Sequence, residues 1–170
     1  MNTRLTLQPL SPQYAEDMWR INEQGLPGVG EVNPSQLEAL VHWSVFTLGA
    51  FEEEKLVGFV ICLPPGTAYQ SLNYRWFDTR YSSFLYVDRI AVGEAHRNRG
   101  VGSMLYEEVH HQAKNEGIPV AAEVNLVPLN AGSMRFHERQ GYAEVGVLEH
   151  PTYTVTMMMR SPGHESRRSP

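Results

Sequence analysis

The stretch HRNRGVGSM, residues 96–104, governs the interpretation of the whole sequence. Arg97 and Arg99 run directly into Gly100-Val101-Gly102, where a helical pattern of apolar residues begins. Glycine lets backbone N–H groups approach an oxyanion without a Cβ in the way, and the start of a helix attracts anions. Arginine adds charge-assisted donors for phosphate oxygens. The stretch predicts a phosphate-binding loop, with a helix entry that merely carries surface arginines as the alternative.

Two common phosphate-binding motifs do not fit this loop. A P-loop requires a lysine followed by serine or threonine after its last glycine, and none is present. A dinucleotide-binding fingerprint requires a third glycine where Leu105 stands, and it follows the first strand of a βαβ unit. The loop found here instead follows the fourth predicted strand.

The hydrophobic periodicity around the loop predicts one mixed α/β (α+β) domain. The predicted order is β-α-α-β-β-β-α-β-α-β-β, which lacks the regular alternation of a doubly wound sheet. Helices are expected on both faces of a central sheet. Strands are predicted at residues 5–7, 45–51, 56–63, 84–92, 120–126, 142–148 and 152–159, and helices after Pro12 and Pro34 and at residues 101–114 and 130–140. Residues 67–83 show neither helix nor strand period and predict a long connection, which in a compact domain is usually functional or mobile.

Composition narrows the classes of protein. The chain has 170 residues with 42% hydrophobic and 19% charged residues, as expected for one globular domain. A net charge of −5 argues against a nucleic-acid-binding protein. The single cysteine, Cys62, excludes an internal disulfide and a cysteine-based zinc cluster, and no metal site is predicted. We expect no signal peptide, no membrane span and a cytoplasmic location. The polar tail, residues 161–170, is expected to be disordered.

Two segments together resemble the GNAT superfamily of N-acetyltransferases. RNRGVG, residues 97–102, matches the R/Q-x-x-G-x-G/A signature, and NAGSMRFHERQGY, residues 130–142, matches a second block of the family. The resemblance covers residues 5–159, so residues 1–160 are assigned to one acetyltransferase domain. It implies a mostly antiparallel sheet splayed between the fourth and fifth strands, and acetyl-coenzyme A (acetyl-CoA) as the cosubstrate. A homodimer is common for this fold.

The resemblance also implies which residues hold acetyl-CoA. The loop would cradle the pyrophosphate, and the main chain of the fourth strand would pair with the pantetheine arm. The residues that match these positions are Arg97, Asn98, Arg99, Gly100, Val101, Gly102 and Ser103 in the loop, Ile90, Ala91 and Val92 in the strand, and Asn130 and Ser133 beside the pantetheine.

A histidine stands where the family often has a tyrosine that protonates the departing thiolate. His137 is therefore a candidate donor or cofactor contact, or it packs on its helix with both ring nitrogens satisfied. Tyr142 is a second candidate donor, with an aromatic plug at the start of a strand as its alternative. Direct transfer needs no covalent intermediate, so Cys62 is interpreted as strand filling.

Two carboxylates in buried-looking strands are candidates for the general base. Asp88 and Glu123 each stand in an otherwise apolar strand, where an unpaired charge is costly. The alternative for Asp88 is an ion pair with an arginine; the three arginines considered are Arg75, Arg80 and Arg89. The alternative for Glu123 is a polar network on the sheet face.

The acceptor side is predicted from an aromatic-rich segment. Tyr69, Tyr74, Trp76 and Phe77, with Tyr86 on the next strand, are candidates to bind the acceptor as a wall or lid. They equally suit a small local core or a dimer surface.

We expect an N-acetyltransferase that acts on a small primary amine or amino acid. The alternatives are acetylation of a protein N-terminus or lysine, a non-catalytic acyl-CoA-binding module, and a nucleotide-binding protein that uses the same loop.

Overall fold

A computed structural model describes residues 4–164 and contains one seven-stranded sheet in the order β1-β2-β3-β4-β5-β7-β6. Every pair of neighbouring strands is antiparallel except β4 and β5. The strands are β1 Leu5–Pro9, β2 Phe46–Glu52, β3 Lys55–Leu63, β4 Leu85–Val92, β5 Val120–Val127, β6 Ala143–Glu149 and β7 Thr154–Arg160. The helices are α1 Ala15–Gln24, α2 Pro34–Trp43, α3 Leu72–Asp78, α4 Val101–Glu116 and α5 Ala131–Arg139. The mixed α/β class is confirmed.

The predicted element order is correct except in the segment between β3 and β4. A long connection without helix or strand was predicted there, and this was wrong, because residues 72–78 form α3. The side chain of Ser71 accepts a hydrogen bond from the Tyr74 N–H and caps the start of this helix. Tyr74 and Phe77 lie one turn apart and are completely buried. A helix of seven residues is too short to produce a clear hydrophobic period.

The predicted splay between the fourth and fifth strands is confirmed. β4 and β5 are parallel but pair at only two positions, Leu85 with Val120 and Tyr86 with Ala121. Beyond these pairs the strands separate, and the β5-facing edge of β4 is left open. The result is a V-shaped slot whose vertex lies at Tyr86 and Ala121.

A bulge in β4 changes which residues face each side of the sheet. Cys62 of β3 lies opposite Val87, whereas Ile61 lies opposite Arg89, so Asp88 is the extra residue. Because of this bulge, Tyr86 and Arg89 both face the side of the sheet covered by α1. The Arg89 guanidinium donates to Asn22 of α1, which confirms its direction.

Helices cover both faces of the sheet, as predicted. One core lies beneath α1, α2 and α3 and contains Met18, Leu37, Tyr74 and Phe59. The other lies beneath α4 and contains Val101, Leu105 and Val109, with side chains of α5 packed at its margin. Among residues 4–164, no helix is both long enough and apolar enough to cross a membrane.

The described chain ends four residues beyond β7. The Arg160 guanidinium donates to the carbonyl oxygen of His164 at 3.2 Å. The remainder of the tail, residues 165–170, lies outside the described residues, so its expected disorder and the domain boundary at residue 160 stay predictions.

Contact between α3 and the far edge of the sheet depends on one glycine. The Trp76 indole lies against Gly146 of β6, and a Cβ at this position would overlap the ring. The packing of α3 across the sheet therefore requires a residue without a side chain at position 146.

Replacement of Gly146 by alanine is expected to push Trp76 away and to destabilise the protein by about 1–3 kcal/mol. The free energy of unfolding, measured by urea denaturation, tests this. Gly30→Ala is the matched control, because no atom lies within 4 Å of the Cβ it adds. Equal stability of the two variants would show that α3 does not depend on this contact.

Candidate functional site

The loop before α4 has the backbone geometry of an anion-binding site. Gly100 adopts the left-handed conformation with φ 77°, and Asn98 has φ 62°. These turns bring the chain into α4, whose Met104 N–H donates to the Gly100 carbonyl at 3.0 Å. The N–H groups of Val101, Gly102 and Ser103 precede this first bond and have no intrahelical partner. They are available to an anion at the positive end of the helix dipole.

The two loop arginines differ in their surroundings. Arg97 is predicted to contact phosphate, and in the structure its guanidinium donates to the carbonyl oxygens of Gln24, at 2.6 Å, and Val92, at 3.4 Å. It ties the loop to the end of α1, and the Gln24 side chain in turn accepts from the Glu94 N–H at 2.8 Å. Arg99 is exposed, and among residues 4–164 it makes no hydrogen bond or ion pair. Arg99 is thus the better candidate for a side-chain contact with phosphate.

The strand residues predicted to hold the pantetheine arm lie along the open edge of β4. Ile90, Ala91 and Val92 pair with β3 on one side only, since the pairing of β4 with β5 ends at Tyr86. Unpaired main-chain groups along such an edge can accept an extended ligand as if it were a strand. Asn130 and Ser133 lie at the start of α5, where the Asn130 side chain caps the helix by accepting from the Ser133 N–H at 3.1 Å.

Glu123 lies near the vertex of the slot. It stands on β5 two residues beyond the last β4–β5 pair, on the face covered by α3. The Tyr86 hydroxyl lies 2.9 Å from each of its carboxylate oxygens, and the Asn73 amide donates to Oε1 at 3.3 Å. Burial and the nearby Asp88 carboxylate raise the pKa of Glu123 to about 8, despite these hydrogen bonds, which act in the opposite direction. A carboxyl group with such a pKa exchanges protons near neutral pH.

Asp88, the other candidate base, is held in an ion pair. Its carboxylate accepts from Arg89 Nε at 2.8 Å, and the two side chains are only 3% and 7% exposed. Arg89 is thus the partner among the three arginines considered. Tyr69 lies beside this pair, and its pKa is raised by burial and by the Asp88 carboxylate. The arrangement favours a structural role for Asp88, because its charge is already compensated.

His137 lies on the opposite face, with both ring nitrogens engaged. Nδ1 lies 2.7 Å from the Ser133 carbonyl oxygen, which only accepts, so this nitrogen carries the proton. Nε2 then accepts from the Tyr106 hydroxyl at 2.7 Å. Burial lowers the pKa of His137, which keeps the ring neutral. In this arrangement the ring has no proton to give to a thiolate, and the geometry favours the packing role.

Tyr142 is part of the same buried aromatic cluster. Its hydroxyl lies 2.8 Å from His110 Nε2, and its ring packs edge-on against His137 at 5.0 Å between centroids. Burial lowers the pKa of His110 to about 3, so this histidine is also neutral. These contacts favour the aromatic plug. Cys62 is fully buried in β3, and burial raises the pKa of its thiol, as suits strand filling.

The predicted aromatic acceptor wall is largely core. Tyr74, Phe77 and Tyr86 are completely buried and pack on one another, so they offer no surface to a ligand. Trp76 and Tyr69 are partly buried, and the Arg80 guanidinium lies over the Trp76 ring at 4.2 Å. These aromatic side chains fill a core, the alternative named for them above, because the helix α3, which was not predicted, brings them onto the sheet.

Three residues of this site were not singled out from the sequence. Asn73 and His150 belong to the Glu123 network, and Tyr106 supplies the partner of His137. Tyr106 lies in the predicted helix of residues 101–114, next to the apolar residues that face the core. Its position on that helix could have indicated that it is buried. Asn73 and His150 lie in irregular or short segments, where spacing carries no such signal.

Comparison with known proteins identifies the class. The sequence model of the acetyltransferase (GNAT) family matches residues 13–142. The chain therefore belongs to the GNAT family, whose members are acetyl-CoA-dependent acetyltransferases. No curated protein sequence gives a significant match.

Solved structures of the same fold cover almost the whole chain. The ribosomal-protein-S18-alanine N-acetyltransferase of Escherichia coli has a TM-score of 0.75 at 13% identity, covering 98% of this chain and 99% of that one. Arabidopsis thaliana NAA60 in complex with acetyl-CoA has a TM-score of 0.73 at 16% identity, with coverage of 93% and 98%. A protein provisionally described as a phosphinothricin N-acetyltransferase has a TM-score of 0.69 at 23% identity, with coverage of 93% and 98%. At these identities the likeness concerns the fold.

The substitution Gly102→Glu is expected to abolish binding of acetyl-CoA. The Cβ itself fits, since its nearest neighbour would be Val92 Cγ2 at 3.9 Å, but the carboxylate would place negative charge among the N–H groups that face the anion. Isothermal titration calorimetry with acetyl-CoA measures the effect. Gly102→Ala is the matched control and should bind like the wild type. Unchanged affinity of the glutamate variant, with its fold intact, would contradict this placement of the pyrophosphate.

Proposed function

We propose that this protein transfers an acetyl group from acetyl-CoA directly to the primary amine of a small molecule or amino acid, with Glu123 as the general base. The observation that carries the proposal is the position of Glu123 near the slot vertex, with a pKa of about 8. A thioester held along the open edge of β4 would present its carbonyl carbon at this vertex. Acetyl-CoA supplies the activated acetyl group.

The chemistry assigned to this chain is proton removal and orientation. The amine must lose a proton as its nitrogen attacks the carbonyl carbon, and the ionised Glu123 carboxylate accepts that proton. The carbon–sulfur bond then breaks, the electron pair leaves with the sulfur as a thiolate, and the thiolate takes a proton from water. The Tyr86 hydroxyl and the Asn73 amide orient the carboxylate. Neither His137 nor Tyr142 is assigned a proton transfer, because both donate or accept elsewhere.

The acceptor side supports a small acceptor over a polypeptide. α3 lies over the slot and contacts β6 through Trp76, and Asn73 of α3 is hydrogen-bonded to His150 in the β6–β7 turn. These contacts leave less room for an acceptor molecule to reach Glu123. The carboxylate of Glu123, when ionised, favours a cationic group such as an ammonium near the vertex, whereas the charge of Asp88 is compensated by Arg89.

A thiol-release assay with acetyl-CoA tests the proposed acceptor. The panel contains primary amines, free amino acids and peptides with free N-termini. Release with small amines or amino acids is the expected result. Release with peptides alone would assign the acceptor as a protein N-terminus, and binding of acetyl-CoA without release across the panel would favour a non-catalytic module.

Replacement of Glu123 by glutamine is expected to lower kcat by about 100-fold or more, the usual contribution of a general base. Affinity for acetyl-CoA should be unchanged, because Glu123 does not belong to the anion loop. Steady-state kinetics with the best acceptor of the panel and calorimetry measure the two quantities. Glu149→Gln applies the same chemical change to an exposed carboxylate of β6 and is the control.

The rate should also depend on pH in a defined direction. Only the ionised carboxylate accepts a proton, so kcat/KM should increase as pH rises through about 8. This inflection should be absent in Glu123→Gln, where any remaining rise belongs to the amine. Identical pH profiles of wild type and variant would contradict the assignment of Glu123.

A further inference from the structure

We propose that His150 and Asn73 are positioning residues for Glu123, and that the hydrogen bond between them keeps the Asn73 amide turned towards the carboxylate. This Asn73–His150 bridge joins the β6–β7 turn to α3 beside the slot. The inference rests on the proposed function and deepens it, since the bridge opposes the rise in the pKa of Glu123 and so favours the ionised form that accepts a proton.

The order of donors and acceptors in the bridge is fixed by chemistry. When Glu123 is ionised its carboxylate only accepts, so the Asn73 group 3.3 Å from Oε1 is then the amide nitrogen Nδ2. The amide oxygen Oδ1 therefore points the other way and lies 2.8 Å from His150 Nε2. This nitrogen must carry a proton, whether the imidazole is neutral or charged.

The bridge matters because Glu123 titrates near neutral pH. When Glu123 is protonated, its O–H can donate to an amide oxygen, and an unrestrained asparagine would rotate by half a turn to accept it. That rotation would stabilise the protonated carboxyl group and raise its pKa. His150 opposes the rotation, because the rotated Asn73 NH2 group would meet the proton on Nε2 unless the imidazole also moved that proton to Nδ1. The bridge thereby favours the ionised carboxylate.

Both ends of the bridge are held by their own contacts. The His150 ring stacks on Tyr153, with centroids 4.2 Å apart and an angle of 12° between the planes. Its backbone N–H donates to the Tyr153 carbonyl at 2.7 Å, which closes the turn. At the other end, the Trp76 ring rests on Gly146 and fixes α3 over β6. The geometry of the bridge therefore does not depend on a mobile side chain.

The other groups that act on Glu123 are few. From β4 they are the Tyr86 hydroxyl, which donates to it, and Asp88, whose charge raises its pKa and is itself paired with Arg89. Tyr106 of α4 lies across the sheet, where burial, Cys62 and Glu123 raise the pKa of its hydroxyl. β7 places Met157, an uncharged residue, opposite Glu123. None of these groups is altered by substitutions at positions 73 and 150.

The test is the titration of the Glu123 carboxyl group by NMR of protein labelled with carbon-13 at the glutamate side chains. Its signal is assigned by its loss in Glu123→Gln. His150→Phe keeps a ring that stacks on Tyr153 but removes the N–H donor. We expect the midpoint of the Glu123 titration to rise by roughly half to one pH unit in this variant. His150→Gln, whose amide nitrogen occupies about the place of Nε2, should titrate like the wild type.

Asn73→Leu removes the bridge from its other end and carries the test if His150→Phe does not fold. It should raise the same midpoint at least as much. An unchanged midpoint in a folded His150→Phe or Asn73→Leu protein would overturn the proposal, as would a change in His150→Gln equal to that in His150→Phe.

The titration separates this inference from the proposed function, because it needs no acceptor. If Glu123 is not the base, Glu123→Gln retains activity, yet the midpoints still respond to the bridge. If both proposals hold, the acid limb of kcat/KM moves to higher pH with the midpoint in His150→Phe, and it returns to its wild-type position in His150→Gln.

Discussion

A buried charge, the Asp88 carboxylate, is the constraint on which the surrounding structure depends. It stands at the bulge where β4 changes face, and an uncompensated carboxylate there would cost several kcal/mol. Arg89 compensates it at 2.8 Å and uses its other N–H groups to reach the side chain of Asn22 and the Gly30 carbonyl. One ion pair thus fixes the bulge, α1 and the loop after α1 relative to one another. The same carboxylate acts on Glu123 across the slot and raises its pKa.

The two sides of the slot are built in different ways. The side assigned to acetyl-CoA depends on the main chain, because it consists of an open strand edge, a left-handed glycine and the first turn of α4. The opposite side depends on side chains from separate elements, which meet at Glu123. Recognition by main-chain groups depends on few particular side chains. The arrangement around Glu123 depends on each side chain that donates a hydrogen bond to it.

This difference explains what the sequence could predict. The loop motif, the element order and the splay follow from local patterns and from the family resemblance, and they were recovered. The partners of Glu123 and His137 were not, because the bonds Tyr106–His137, Asn73–Glu123 and Asn73–His150 join residues 31, 50 and 77 positions apart. The helix α3 was missed for another reason. Its aromatic side chains resemble those of a binding wall in the sequence, and only the backbone that buries them shows that they form a core.

The small number of pairs between β4 and β5 has a mechanical consequence. The two halves of the sheet are joined at the slot vertex by two residue pairs, so little strand pairing holds the angle between them. α3 follows β3 in the chain, crosses the slot and contacts β6 through Trp76 and Gly146. α3 therefore connects the two halves of the sheet beside the slot vertex. The angle between the two halves of the sheet therefore depends on the β4–β5 pairs and on the contact of α3 with β6. A molecule that spreads β4 and β5 apart must also disturb the contact of α3 with β6.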